Sequence, residues 1–240
     1  SQSKSALQEA GWDGVDGVLL DLGFSSLQIE DAARGFSFNR SGLLDMRMNK
    51  DDPRTAMDIL NSAAEAELVD ILRSFGEERA AKQISRSIMR ARDDTPIRTT
   101  NELRRIVEKA IGAAHRNRKQ GRSKIHPATR TFQAFRIAVN KELEHLETFL
   151  LTGYQLLRPG GRMVILSYHS LEDRLVKSAF RRWAADCVCP PGFQVCGCGW
   201  ERKVSIVTTK PIKPKESEIA RNFRARSARL RVVERLGGEL

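Results

Sequence analysis

The sequence contains no unbroken apolar stretch of about 18 residues or more, which excludes an ordinary membrane-spanning helix. Its amino-terminal stretch, SQSKSALQEAGWDG, lacks the apolar core of a secretory signal, so a cytoplasmic location without membrane contact is expected. No phosphate-binding loop is present, which counts against a nucleotide-driven α/β enzyme. No internal repeat is present, which counts against a solenoid. Acidic residues are in deficit: 30 Asp+Glu against 41 Lys+Arg leave a formal charge of +11. A surplus of that size favours a polyanionic partner, most simply nucleic acid. A generally basic surface is the plainer reading, but some of the charge is clustered, at HRNRKQGRSK (His115 to Lys124) and NFRARSARLR (Asn222 to Arg231).

What is present suffices for a folded chain. At 240 residues and 40% hydrophobic content, one or two domains with a real core are expected. Val15, Val18, Leu19 and Leu20, bounded by glycines, read as a strand buried on both faces. Residues 32–49 show neither a helical nor a strand period and read as an ordered loop. Ser62 with Glu65 forms a capping-box pattern, predicting a helix to about Ser74. Ala80, Ile84, Ile88 and Ala91 mark the next helix. Thr99 with Glu102 opens a third, stopped at Gly112. One long helix is predicted from Pro127 through Phe132, Phe135, Val139, Leu143, Leu146 and Leu150. RMVILSYHS (Arg162 to Ser170) is a second strand, followed by a helix capped by Ser170 and Asp173. KVSIVTT and ARLRVVER are further strand candidates. The pattern is α/β, with helices covering a mixed or parallel sheet.

Both internal strands end in polar groups, Asp21-Leu22-Gly23 and Tyr168-His169-Ser170. In open α/β sheets the ligand crevice lies beyond the carboxyl ends of the strands. Asp21 therefore either faces a ligand or caps the following turn, and the residues alone weigh these equally. Ser170 reads as a helix cap, and His126 as a residue fixing a helix start. Phe36, Phe38, Met46 and Met48 read as loop anchors before base-stacking platforms. The four cysteines all lie in CVCPPGFQVCGCG, as Cys187, Cys189, Cys196 and Cys198. Residues two apart share a strand face, so a hairpin over residues 187–199 brings four sulfurs to one side. That is the donor set of a structural zinc; four reduced thiols are the next reading, and disulfides the last.

These stretches also resemble one family. DGVLLDLGFSS, RGFSF, LDMRM, GEERAAKQI, HPATRTFQAFRIAVNKEL, PGGRMVILSYHSLEDR and the closing RARSARLRV follow the order found in bacterial 16S rRNA (cytosine-N4) methyltransferases, over about residues 14 to 236. The resemblance implies a class I S-adenosylmethionine (SAM) methyltransferase with a Rossmann-like sheet and an inserted helical domain. The sheet is expected to be partial here. The implied substrate is a cytosine at the decoding centre of the small ribosomal subunit, met as rRNA or in the assembled subunit. Members begin with a strand and a glycine-rich cofactor loop that have no counterpart before Asp16, so the chain is expected to be the C-terminal portion of a longer protein. A non-enzymatic RNA-binding or ribosome-associated module is the alternative on that account.

The expected organisation is a first core part over 1–50, an inserted helical domain over 51–125, and a second core part over 126–240. By resemblance, Asp21 and Gln28 match cofactor-contacting positions. Asp21, Ser25, Ser26 and His169 are the expected catalytic group, with the serines and His169 shaping the base side. Arg116, Arg118, Lys119, Arg122 and Lys124 form the expected rRNA contact, a solvated linker being the plainer reading. An open sheet edge would also favour self-association, so a homodimer is among the expected partners.

Overall fold

The structure, a computed structural model, describes residues 2–115, 126–190, 192 and 195–237. In chain order the elements are α1 (Gln2–Glu9), β1 (Val15–Asp21), α2 (Ser26–Glu30), α3 (Ala56–Ser62), α4 (Glu65–Ser74), α5 (Ala81–Asp94) and α6 (Thr100–His115). They continue as α7 (Ala128–Asn140), α8 (Glu142–Thr152), β2 (Leu157–Ser167), α9 (Ser170–Trp183), β3 (Val204–Ile206), α10 (Glu216–Arg221) and β4 (Arg229–Arg235). Among the described residues no helix is long and apolar enough to cross a membrane.

The chain divides into two compact units, one of Ser1–Gly23 with Leu143–Leu240 and one of Phe24–Glu142. These limits differ from the predicted 1–50, 51–125 and 126–240. The cause is apolar burial at both flanks of the helical stretch. Phe36, Leu44 and Met46 of the loop, and Phe132, Phe135 and Val139 of α7, all sit in the core built by α3 to α6. Each such side chain removed from water is worth about 1.5–3 kcal/mol, enough to decide where a segment packs.

Among the described residues the sheet unit carries four strands in the order β1-β2-β4-β3. β1 runs parallel to β2, while β4 is antiparallel to both β2 and β3. Its core gathers Leu146, Leu150, Tyr154, Met163, Ile165, Val176, Phe180, Trp183, Val204 and Val233. β1 is not buried on both faces as its composition suggested. It forms an edge of the described sheet, and its Leu19 is 67% exposed.

In the helical unit α4, α5, α6 and α7 bury residues three and four apart, for instance Leu68, Ile71 and Leu72, or Ile84 and Ile88. The loop before them is tied by side chains rather than by a ladder. Asn140 donates to the carbonyl of Met46 at 2.7 Å and accepts from the amide of Met48 at 2.6 Å. Arg34 donates to the carbonyls of Arg47 and Met48. Gly42 is required here, since any Cβ would collide with the carbonyl of Ala32.

Three predicted helix boundaries move. Ser62 ends α3 and donates to the carbonyl of Asp58, and the capping box belongs to Thr55 and Asp58 instead. Thr99 and Glu102 do cap α6, but that helix runs through Gly112 to His115. The single helix after Pro127 breaks at Lys141, a left-handed residue with φ of 48°.

Candidate functional site at the strand ends

The site begins with two neighbouring strands that run in the same direction and end together. Asp21 pairs in register with Leu166, and the amide of Leu22 donates to the carbonyl of Leu166 at 3.1 Å. Gly23, at φ of 95°, then turns the chain, a conformation that glycine adopts without cost. On the other strand, β2 ends at Ser167 and α9 starts three residues later. Glu172 holds that corner: its Oε2 accepts the backbone amides of Tyr168 at 2.8 Å and His169 at 3.2 Å. The fixed turn presents the Tyr168 phenol to Asp21, and Tyr168 Oη donates to Asp21 Oδ1 at 2.8 Å. Burial and this hydrogen bond to a carboxylate push the Tyr168 phenol up to about 12. It is a neutral donor throughout the working pH range.

His169 is tied into the helix start. It is the N-cap of α9, and its Nδ1 accepts the Glu172 amide at 3.4 Å, so Ser170 is not the cap that its residue type suggested. Its Nε2 lies 3.2 Å from Glu172 Oε1, but out of hydrogen-bonding direction. Asp173, one turn into α9, receives Arg231 at 2.7 Å and Arg229 at 2.8 Å. Burial alone would raise the Asp173 carboxyl, but the two guanidiniums outweigh it and hold the group below the ordinary carboxylate range. Two of the cationic residues in NFRARSARLR are therefore occupied inside the fold. Arg226 stacks on the exposed ring of Phe223.

In the helical unit, Ser25 is the N-cap of α2 and Gln28 completes a capping box. Ser25 Oγ accepts the Gln28 amide at 3.3 Å, and Gln28 Oε1 accepts the Ser25 amide at 2.9 Å. Ser26 is the first residue of that helix and is exposed. Phe36 and Met46 are buried loop anchors, and Phe38 stacks on His126. His126 Nδ1 accepts the Ala128 amide at 3.1 Å and so fixes the start of α7. Arg116, Arg118, Lys119, Arg122 and Lys124 lie outside the described residues.

The residue that sequence reasoning missed is Tyr168. Its signal was a polar aromatic closing an apolar strand, beside the histidine that drew attention instead. A groove of about 310 Å³ lined by Leu150, Leu175, Ala179, Trp183 and Trp200 contains none of the predicted site residues. At the strand-end site Asp21 is exposed.

The four cysteines do converge. Cys196 Sγ lies 3.4 Å from Cys187 and 3.5 Å from Cys198, while Cys187 to Cys198 and Cys189 to Cys196 are 3.8 and 3.9 Å. No strand hairpin carries them among the described residues; Gly192, in a turn between the two cysteine pairs, has a positive φ of 97°.

A mixed sheet with helices packed on it and polar side chains at the carboxyl ends of its parallel strands is the Rossmann-like architecture of a methyltransferase. The chain belongs to the MraW methylase family, whose profile it matches over residues 1–236. It is 51% identical over 222 residues to Ribosomal RNA small subunit methyltransferase H of Desulfosudis oleivorans, covering 92% of this chain and 70% of that protein. It is 50% identical over 230 residues to the protein of the same name from Pelobacter propionicus, covering 96% and 72%. The Maridesulfovibrio salexigens protein of that name is 48% identical over 241 residues, covering 99% and 72%. Membership of a methylase family decides for an enzyme over a non-enzymatic RNA-binding module.

Proposed function

We propose that this chain methylates the exocyclic N4 amine of a cytosine in small-subunit rRNA, at the decoding centre, with SAM as methyl donor. The observation that carries the reading is the Asp21–Tyr168 hydrogen bond at the carboxyl rim of the parallel strands. An exposed carboxylate at that rim suits a cofactor rich in amine and hydroxyl donors, as SAM is. When bound, SAM supplies an electrophilic methyl group on a sulfonium.

The cytosine amine is a weak nucleophile because its lone pair is delocalised into the ring. Tyr168 holds Asp21 Oδ1, which orients the carboxylate and leaves Oδ2 to accept an N–H of the amine. That hydrogen bond directs the nitrogen and returns electron density to it. The nitrogen gains a carbon and loses a proton, and Asp21 takes the proton. His169 positions Tyr168 through the turn they share. Ser25 and Ser26 shape the base side and Gln28 contributes on the cofactor side. The sheet unit is the methyltransferase body and the helical unit its insertion.

The basic residues Arg116, Arg118, Lys119, Arg122 and Lys124 contact rRNA phosphates. The substrate is the rRNA alone or in the assembled small subunit, and the enzyme works in the cytoplasm. A homodimer remains part of this reading through the exposed edge of β1.

The test is Asp21→Asn in the intact protein, assayed by methyl transfer to small subunits and by SAM binding. Turnover is expected to fall about 100-fold or more, the usual scale for loss of a positioned base. Unchanged turnover and unchanged SAM affinity would remove Asp21 from the mechanism.

A further inference from the structure

Outside the strand-end site, the segment from Cys187 to Cys198 has no helix or strand among its described residues. It also buries little: Val195 is 80% exposed, and three of the four cysteines are exposed. Such a segment has no core of its own, and backbone ordering costs about 1–2 kcal/mol per residue. Something else must hold it.

The base of the segment is closed firmly. Lys203 donates its amide to the carbonyl of Trp183 at 2.8 Å, and Trp200 Nε1 donates to the carbonyl of Ala185 at 3.1 Å. Arg202 grips Asp186 with two hydrogen bonds of 3.0 Å. Above that closure the four sulfurs face one another, all within 4.8 Å.

The spacing is that of a metal tetrathiolate. Ligand sulfurs about 2.3 Å from a tetrahedral zinc stand roughly 3.8 Å apart, by the geometry of a tetrahedron. Four of the six separations, 3.4 to 3.9 Å, bracket that value. The backbone contributes a second feature of thiolate sites. The amide of Cys189 donates to Cys187 Sγ at 3.3 Å. Amide donors two residues beyond a cysteine stabilise the charge of a bound thiolate.

We propose that Cys187, Cys189, Cys196 and Cys198 form a structural site for one soft divalent cation, zinc in the cell, which clamps this segment onto the end of α9. Four protein ligands fill the tetrahedron, so no position is open for a substrate or a water, and the site is not catalytic. The inference is independent of the methyl-transfer reading and stands or falls separately from it.

The intact protein, purified under reducing conditions without chelator, should carry about one equivalent of zinc by mass spectrometry of the metal. Replacement with cobalt should give the visible bands of a tetrahedral tetrathiolate. A chromogenic thiol reagent should react slowly with the holoprotein and rapidly after chelation. Cys196→Ser should lower zinc content at least tenfold and open residues 187–199 to protease, while circular dichroism keeps the α/β signal. Metal-free protein with four promptly reactive thiols would overturn the proposal. So would an intact mass lower by four hydrogens, which marks two disulfides in place of the metal. The wild-type metal and thiol measurements decide the matter even if a variant fails to fold.

Discussion

The sheet unit and the helical unit use polar residues in opposite ways. In the helical unit they face inward to backbone: Asn140, Arg34 and Thr100 occupy the amides and carbonyls of an irregular loop that no ladder serves. In the sheet unit the ladder already serves the backbone, so polar side chains at the strand ends are free to face one another. Asp21 meets Tyr168 there, and behind them Asp173 of α9 meets Arg229 and Arg231 of β4. An irregular region needs its polar residues to exist at all, whereas a regular one can devote them to a site. Changes in the first should cost stability, and changes at the rim of the second should cost chemistry.

The greatest expected effect cuts across that rule inside the sheet unit. Asp173→Ala leaves the buried Arg231 without its partner, and removal of one member of a buried pair costs about 3–5 kcal/mol, read by urea unfolding. The depressed carboxyl also sets a sign: its stabilisation is complete above the ordinary carboxylate value and is lost as pH falls through the lower folded value. Acid titration of unfolding should therefore show a component missing in the Ala variant. A loss below about 1 kcal/mol would mean that the arginines find other partners.

Next in size, Asn140→Ala strands the carbonyl of Met46 and the amide of Met48, at about 2–3 kcal/mol. Hydrogen exchange should show the loss of protection concentrated in the loop, and SAM binding should not change. Tyr168→Phe keeps the ring and removes one hydrogen bond, so turnover should fall about tenfold with little change in melting. Near-ultraviolet titration should show that the proton missing in the variant is one released near pH 12. The stabilisation tied to it is present below pH 10 and lost as pH rises through about 12. Smallest is neutralisation of Arg116, Arg118, Lys119 and Arg122, which should flatten the salt dependence of RNA binding by about 0.7 per lost phosphate contact. An unchanged slope removes that stretch from the interface.

Much of this was readable in the residues. The polar closures of β1 and β2 pointed to the rim, and Thr99 with Glu102 marked α6 because a capping box is a local chemical pattern. What escaped was set by distant partners. The Asp21–Tyr168 bond joins residues far apart in sequence, and neither residue alone announces the other. Lys141 ends α7 in mid-pattern by its left-handed backbone, while the apolar period runs on unbroken. His169 caps α9 although imidazole is not among the residues that usually do so. The exposed edge of β1 depends on strand order, which composition does not encode.

Strand order also has a consequence for synthesis. Val18 pairs with Met163, a residue 145 positions later (163 − 18), with the whole helical unit between them. At about 5–20 residues per second, β1 leaves the ribosome roughly 7–30 s before β2 exists to receive it. For that time VLL lacks the partner strand that it has in the described sheet. Asp16 and Asp21 on either side act as charged gatekeepers against pairing with the wrong chain.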